Sequence, residues 1–471
     1  MNTAYGETTT SFSMAQELQL RPAIQGTVIT PDDPQYDEAR QAWNLSVDQR
    51  PAMIVIADGV EDVVGAVRFA TQAGLNLTVQ GTGHGVVRPA NDSLLLITSK
   101  MKTVRVDAAA QTAWVEAGVK WGEVLEKTQA VGLAPLLGSS PDVGVVGYTL
   151  GGGYGWLGRK YGLATDSVRF FELVTADGRL LRASETENSD LFWGLRGGGG
   201  SFGIITGMEI KLYPVSTVYG GNLFYPLSMA KEVYARYRDW ITSVPDELTS
   251  SIVIMNYPPI PEIPEFLRGQ SFVIIRGLYC GPVQEGEALL QSWRDWRAPY
   301  FDGWRVMPFS EVGTVSAEPL DPMPIHSSGA WLAELSDEVI DILLRTVAPG
   351  SNGPSPLIFA EIRHVGGAVA RVSPQASAYG NRDAAFLLHL LGVTPTPEAY
   401  RQLAQYTGQI KEQLRPYLTG GVYMNFLEGE ESQRRVESGY APEAYRRLAA
   451  LKAAYDPDNR LRSGFNIQPA R

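Results

Sequence analysis

Three glycine-rich loops in the first half of the chain do most to limit what it can build. They are Gln80-Gly81-Thr82-Gly83-His84-Gly85, Gly151-Gly152-Gly153-Tyr154-Gly155-Trp156-Leu157-Gly158 and Gly197-Gly198-Gly199-Gly200-Ser201-Phe202-Gly203. Glycine admits positive φ and close approach of backbone to a ligand, and successive free amides in such a loop cradle an anion. A single loop of this kind is a common turn. Three of them, each ending a strand or short helix, point to one large cofactor crossed by several backbone segments; the competing explanation is a run of tight turns in a β-rich domain. Gly153, Gly155 and Gly158 also satisfy the GxGxxG spacing of a dinucleotide fold. That motif must open a helix, and RKYGLATD after it does not continue as one, so the match is an accident of glycine density.

Around the loops the chain alternates strand-like and helix-like pieces. AMIVIA (52–57) reads as a buried strand. The apolar positions Val60, Val63, Val64, Val67 and Ala70 then mark a helix ending at Gly74, and LNLTVQ (75–80) runs extended into the first glycine loop. Residues 93–101, KTVRVDAAA and TAWVEAG add strands, and WGEVLEKTQAVG a helix. The glycine density of 138–166 argues against any continuous helix there. SVRFFELVTADGRLLRAS predicts a hairpin turning at Asp177-Gly178, and NSDLFWGL a short helix capped by Asn or Ser. Beyond Pro214 the chain is richer in Pro, Trp and Tyr, with helical patterns at 229–243, 284–297 and 398–415 between apolar runs, and PPIPEIPEF (258–266) reads as an exposed connection. The last helix stops at Asp456-Pro457. At 471 residues the chain exceeds one core, and we divide it into 1–214, a second domain over 215–428, and a C-terminal segment 429–471.

A formal charge of −11 opposes nucleic-acid or anionic-membrane binding. Cys280 has no partner for a disulfide, and His84, His326, His364 and His389 fit no metal-ligand spacing, so no metal is expected. The polar first sixteen residues read as a frayed terminus and not a signal peptide, and no stretch is apolar enough to span a membrane, which gives a soluble, cytoplasmic protein as the expectation.

The pieces Gln80–Val87, Gly144–Asp166, Gly197–Ile205 and Tyr455–Ile467, with the ending YDPDNRLRSGFNI and YMNF before it, resemble the vanillyl-alcohol oxidase superfamily, and specifically its berberine bridge enzyme-like oxidases. The resemblance runs from PDDPQYDEAR to the last helix. It implies an α+β fold: a PCMH-type FAD-binding domain of two α+β subdomains, completed by the C-terminal segment, plus a substrate domain with an antiparallel sheet backed by helices. It implies FAD held by Gln80, Gly81, Thr82, Gly83, Gly85 and Val86; by Ser139, Ser140, Val143, Gly144, Gly147 and Tyr148; by Gly152, Gly153, Gly155, Asp166 and Val168; by Gly200, Gly203, Ile204 and Ile205; and by Asn425 and Asn466.

His84 matches the histidine that bonds covalently to the flavin 8α carbon; from the loop alone, a solvent-exposed turn histidine is the alternative. Where many relatives carry a second, cysteinyl link this chain has Ser140-Pro141, with Tyr148 eight residues on, so a single link is expected. Gln80 stands where many relatives have arginine, and Gly464 replaces the first asparagine of an NxN tail. Val143 matches the residue that gates oxygen, and a small branched residue there resembles the oxygen-reactive members; a plain core valine suits the local sequence equally.

On the substrate side, alternation in LIFAEI puts Leu357, Phe359 and Glu361 on one face. A carboxylate there is either a base with raised pKa or paired with Arg363 or another cation. By resemblance Glu361 matches the family's glutamate base. Tyr423 and Asn425 share a face of a strand that the family lays over the flavin, with the tyrosine as base or substrate anchor; the alternative is a core tyrosine holding one hydrogen bond. Tyr148 reaches flavin or substrate, or packs against the glycine run. The aromatic run SWRDWRAPYFDGW lines a pocket or packs helices. The resulting expectation is an oxidase passing hydride from a C–H of an aromatic or amphipathic alcohol or amine to FAD, with O2 as the second substrate and H2O2 released. A dehydrogenase, a saccharide oxidase and a non-catalytic flavin carrier are the rivals.

Overall fold

The computed structural model describes residues 20–348, 355–462 and 464–471; the polar stretch over the first sixteen residues lies outside them. Three sheets organise the chain. In the first, Thr27–Ile29, Met53–Ile56, Leu94–Ile97 and Leu77–Gln80 lie side by side in that order, the last three parallel. The helix Val60–Ala73 makes the crossover and covers this sheet with Val63, Ala66, Val67 and Ala70, as its periodicity predicts. Gly74 ends it in the left-handed region at φ 70°, a conformation that costs a side chain dearly.

The second sheet is antiparallel, ordered Val104–Asp107, Thr112–Glu116, Ile204–Lys211, Val168–Val174, Leu180–Ser184. The expected hairpin is present, with Gly178 at φ 79° in its turn. Asn188 does not cap the helix Ser189–Leu195 with its side chain, which donates to Arg182 O instead. The region around 138–166 departs from expectation: Val145–Leu150 is a short helix that contains Gly147, and a one-turn helix spans Gly158–Tyr161 before Gly162 at φ 94° stops it. Because the run between them opens no longer helix, the dinucleotide motif is absent, as its context implied.

The third sheet has eight antiparallel strands. Its centre runs Thr217–Pro226, Ser271–Tyr279, Leu248–Asn256, Phe359–His364, Phe386–Val393, Ile325–Leu332. One face is mainly apolar and is covered by the helices Ala230–Trp240, Val283–Trp296, Asp337–Val347 and Pro397–Leu414, with Ser250 and His326 bonded to Tyr237 and Thr407 of those helices. Trp293 from the aromatic run is buried in this layer, where the run packs helices, while Ser292 and Trp296 of the same run line a surface cleft with Arg236 and Trp240. The other face looks toward the first two sheets and differs along its length, which decides where the chemistry sits.

The C-terminal chain returns to the N-terminal sheets. Leu461 bridges Leu77 in parallel, and Leu448, Leu451, Phe465 and Ile467 join the core beneath the second sheet. Lys452, fully buried, fixes this return. Its ammonium donates to Asp456 Oδ2 at 2.6 Å and to the carbonyls of Ser201 and Leu461 at 2.9 Å.

Candidate active site

The strand Leu77–Gln80 delivers the first glycine loop to the junction of the three sheets. At Gly83 φ is 83°, and a Cβ would stand 2.6 Å from Trp43 N, so only glycine fits. The next residue, His84, is sandwiched: its ring stacks on Trp43 with centroids 4.2 Å apart and planes 20° apart, and its Nε2 lies 3.2 Å from Asp142 Oδ2.

Asp142 is held by the chain around it. Its N–H donates to Ser140 Oγ, and Lys120 Nζ donates to its Oδ1 at 2.5 Å. The helix Trp121–Gln129 docks its first amides on this loop, Trp121 N to Val143 O and Gly122 N to Pro141 O. Burial holds the His84 imidazole below its ordinary pKa against the opposing pull of Asp142, so the ring is neutral at pH 7. Since a carboxylate only accepts, the neutral ring carries its proton on Nε2, and the Nδ1 lone pair is left free.

Several features of this junction suit a long anionic cofactor. Side chains added at Gly85, Gly147 or Gly199 would meet nothing within 4 Å, so two of the glycine loops and the short helix Val145–Leu150 present open backbone. Arg88, three residues past the loop, keeps a buried Nε without a partner, and burial together with the like charge of Arg462 depresses its pKa. Two guanidiniums in that arrangement await an anion such as a diphosphate. Asn466 is buried with its Oδ1 unpartnered. FAD, with a diphosphate and a polar ring system, fits this donor and acceptor set.

Not every residue expected to hold the cofactor is free to do so. Gln80 is tied to the protein, accepting from Gln49 Nε2 at 2.8 Å and donating to Gln41 O at 2.9 Å. Asp166 is clamped by both terminal nitrogens of Arg382, at 2.6 and 3.0 Å. Gly152, Gly153 and Gly155 have no Cβ because Tyr379, Tyr148 and Leu137 O occupy that space. Tyr148 packs with its hydroxyl buried, without a hydrogen-bond partner among the described residues, and wedged against Gly138 and Gly155. Asn425 lies over Gly151 and donates to Tyr148 O and Tyr423 Oη, so it pins the glycine run. Val168, Ile204 and Ile205 are buried strand residues, and Gly203 gives room to Leu173. Thr82 lies against Gly144 across the two loops, Gly81 and Val86 flank it, and Gly200 continues the third run, whose Ser201 donates to Phe465 O beside the tail.

On the sheet side, Tyr423 precedes a 3₁₀ turn, Met424–Phe426, where a strand was expected. The turn brings Tyr423 and Asn425 together nonetheless. Tyr423 Oη accepts from Tyr154 N at 2.9 Å and from Asn425 Nδ2 at 3.2 Å, more than a packed core tyrosine needs. Burial raises this phenol, while those donors and Arg363 pull it down.

Glu361 takes the ion-pair alternative. Arg363 Nε donates to its Oε2 at 2.8 Å, Ser251 Oγ donates to its Oε1 at 2.7 Å, and Arg276 Nη1 stands 3.9 Å away. Burial would raise the carboxyl, but Arg363 and Arg276 outweigh it and hold it at about 2. A carboxylate so paired is held in its ionised form, the ion-pair alternative the sequence left open. Leu357 precedes the strand Phe359–His364 and packs with Ala360 and Ile362 on the opposite face, not with Phe359 and Glu361. His389 is a working part of this side: neutral, depressed to about 3 by burial and by Arg363, stacked on Phe426 at 3.8 Å, and bonded to Ser327 Oγ. A small cavity between Ser139, Tyr154, Trp156, Ser251 and Arg363 joins the two halves.

Sequence reasoning missed Trp43, Asp142, Lys120, Arg88 and Arg276. Asp142 had one local signal, its place two residues after Ser140 in a loop already singled out, and Arg88 follows the first glycine loop by three residues; Trp43, Lys120 and Arg276 come from distant segments.

Residues 51–184 match the FAD binding domain family and residues 422–468 the berberine and berberine-like family. The FAD-linked oxidoreductase YgaK of Bacillus subtilis (strain 168) is 30% identical over 458 residues, 95% of this chain and 98% of YgaK. (R)-6-hydroxynicotine oxidase of Paenarthrobacter nicotinovorans is 29% identical, covering 97% of this chain and 99% of that one. The crystal structure of 6-hydroxy-D-nicotine oxidase from Arthrobacter nicotinovorans superposes with a TM-score of 0.82 at 27% identity, over 95% of this chain and 98% of that chain. Fold and site together define an FAD-dependent oxidoreductase. The chain belongs to the berberine bridge enzyme-like FAD-linked oxidoreductases.

Proposed function

We propose that the protein is an oxidase carrying FAD on a single covalent bond through His84. Its substrate is a small molecule with an aromatic or amphipathic body, oxidised at the C–H of an alcohol or amine, and O2 is the electron acceptor. The observation that carries this reading is the state of His84: a neutral imidazole, fixed between Trp43 and Asp142, with its Nδ1 lone pair free. Bound FAD supplies the hydride acceptor and the route by which two electrons reach O2 as H2O2.

The residues of the chain do the rest. His84 provides the nucleophilic nitrogen, and the proton on its Nε2 stays directed at Asp142. Ser140 offers no thiolate for a second link and instead accepts from Asp142 N. Cys280 is buried, its thiol pushed up to about 11 by burial, and it bonds to Glu247 O in the other half of the chain. Val143, partly buried next to Asp142, is the small branched residue at the position of the oxygen gate. Tyr423 takes the proton released from the substrate O–H or N–H, because negative charge on its oxygen is met by Tyr154 N–H, Asn425 and Arg363. The name of the hydroxynicotine oxidase relative supports an amine or aromatic substrate.

The test is acid precipitation followed by a peroxide assay. Wild-type protein is expected to give a yellow pellet and, with an accepted alcohol or amine, H2O2; His84→Ala is expected to release its pigment to the supernatant. A colourless wild-type pellet overturns the covalent assignment, and flavin that reoxidises slowly in air-saturated buffer overturns the oxidase assignment.

A further inference from the structure

The inward face of the eight-stranded sheet has three zones. At its outer end Phe224, Val253, Phe272, Ile274 and Phe359 form an apolar cluster under the 257–267 segment. At its inner end Trp331 and Leu387 pack with Tyr154 and Tyr423 beside the glycine run. Between them lies a polar stripe, read across adjacent strands as Arg276, Ser251, Glu361 with Arg363, His389 and Ser327.

The charges of this stripe do not cancel. Two guanidiniums face one carboxylate, and His389 is neutral at pH 7. Glu428, which accepts from Ser327 N, is raised by burial to about 8 and is protonated at neutral pH. The remaining carboxylate with influence on Arg363, Glu318, lies on the surface. One positive charge is left over in a buried setting.

The surplus falls on Arg276. The residue is 7% exposed, and among the described residues its Nε has no partner and its one ion pair, to Glu361, is 3.9 Å long. Arg363, in contrast, is bound to Glu361 at 2.8 Å and reaches Ser139 Oγ. A buried guanidinium with unmet donors is costly unless an anion completes it. Its planar fork matches a carboxylate in two parallel hydrogen bonds.

We propose that Arg276 is the acid-recognition end of the substrate pocket, and that the substrate is a carboxylic acid with an apolar, ring-bearing body. This rests on the oxidase reading and names its substrate class. The acid group sits on Arg276. The body lies along Phe359 and Phe426, which already pack on His389, Phe359 edge-on and Phe426 face to face. The alcohol or amine to be oxidised is at the Tyr423 end. Three strand spacings of about 4.8 Å separate the strand of Arg276 from that of His389, which accommodates such a body between the acid and the reacting carbon.

The experiment uses the FAD-loaded protein and a matched pair of probes, 3-phenylpropionate and 3-phenylpropanamide, with binding read by perturbation of the flavin absorption spectrum. The acid is expected to bind at least tenfold more tightly than the amide, and added salt to narrow the gap. In Arg276→Met the preference is expected to vanish while flavin content and melting temperature persist; Arg276→Lys, which keeps the charge without the fork, is expected to retain part of it. Equal binding of acid and amide, or binding of neither, overturns the proposal. So does a preference that survives Arg276→Met. Should the Met variant fail to fold, the wild-type comparison and the Lys variant still decide. Tight acid binding with no flavin reduction across a panel of hydroxy and amino acids would instead count against the oxidase reading and leave the acid site standing.

Discussion

His84 and Asp142 share a hydrogen bond of 3.2 Å between Nε2 and Oδ2, and Lys120 holds the other oxygen of the same carboxylate. The arrangement fixes which imidazole nitrogen keeps its proton and leaves the other with its lone pair. Asp142→Asn keeps the size of the side chain but presents an amide that can turn its NH₂ toward Nε2, favouring the wrong tautomer. The expected outcome is covalent flavin attachment slowed about tenfold or more, with non-covalent FAD still bound. Flavin fluorescence of the denatured band on a gel, followed over time after adding FAD to apoprotein, reads this directly. Because burial lowers the His84 pKa, the wild-type rate should be flat across neutral pH and fall only as the ring protonates on the acid side of its ordinary value.

Much of the scaffold for this pair is legible in the sequence, because it depends on local pattern. The helix Val60–Ala73 and the strands on either side follow from spacing and from Gly74, all within one stretch of chain. The helix Val145–Leu150 is not legible: glycines surround it and Gly147 lies within it, so only packing against the second sheet makes it helical. The same holds for the site. His84 stands out by composition, but the Trp43 ring and the Asp142 carboxylate reach it across long separations that no spacing rule sees. For Glu361 both readings are open in the sequence; the structure pairs it with Arg363, and Arg276 stands nearby from another strand. Tyr148 and Asn425 look like ligands in a list of polar residues, yet they serve the close packing of the glycine run.

Tyr423 is expected to show itself in a pH profile. Burial raises its phenol above the ordinary value of 10.0, so the proton-accepting form grows as pH increases and kcat/KM should climb through the alkaline range. Tyr423→Phe should abolish that alkaline rise and lower kcat/KM by about 10²-fold or more, while leaving bound FAD unchanged. A profile of unchanged shape in the Phe variant would remove Tyr423 as the proton acceptor.

Glu428 makes a prediction about stability with an explicit sign. Its folded pKa of about 8 lies above the ordinary 4.5, through burial that the Ser327 N–H and Asn44 only partly offset. Between those values the folded state holds a proton that the unfolded state has lost, so stability falls as pH rises from about 4.5 to about 8. Glu428→Gln removes this dependence. Melting temperatures of the two proteins should agree more closely near pH 5 than at pH 8.5, where the variant should be the more stable by an amount on the order of 1–3 kcal/mol. A constant offset at both pH values would show that Glu428 titrates normally.

Lys452 is the point at which the C-terminal return depends on a buried charge. Its ammonium joins the Asp456 carboxylate to the Ser201 carbonyl of the third glycine run and to Leu461 of the tail, and neither charged side chain is more than 1% exposed. Lys452→Met leaves Asp456 ionised in a dry setting with only the Arg460 and Leu461 amides as donors, which should cost about 3–5 kcal/mol. The double variant Lys452→Met/Asp456→Asn removes both charges and should recover a large part of that loss, because the penalty lies in the uncompensated carboxylate and not in the missing pair. Thermal melts of the three proteins measure this. Flavin content tests the structural consequence: the same tail carries Asn466 and rests on Ser201, so the single variant should lose FAD before it unfolds, and a variant that melts early while keeping its full flavin would separate the tail from the cofactor.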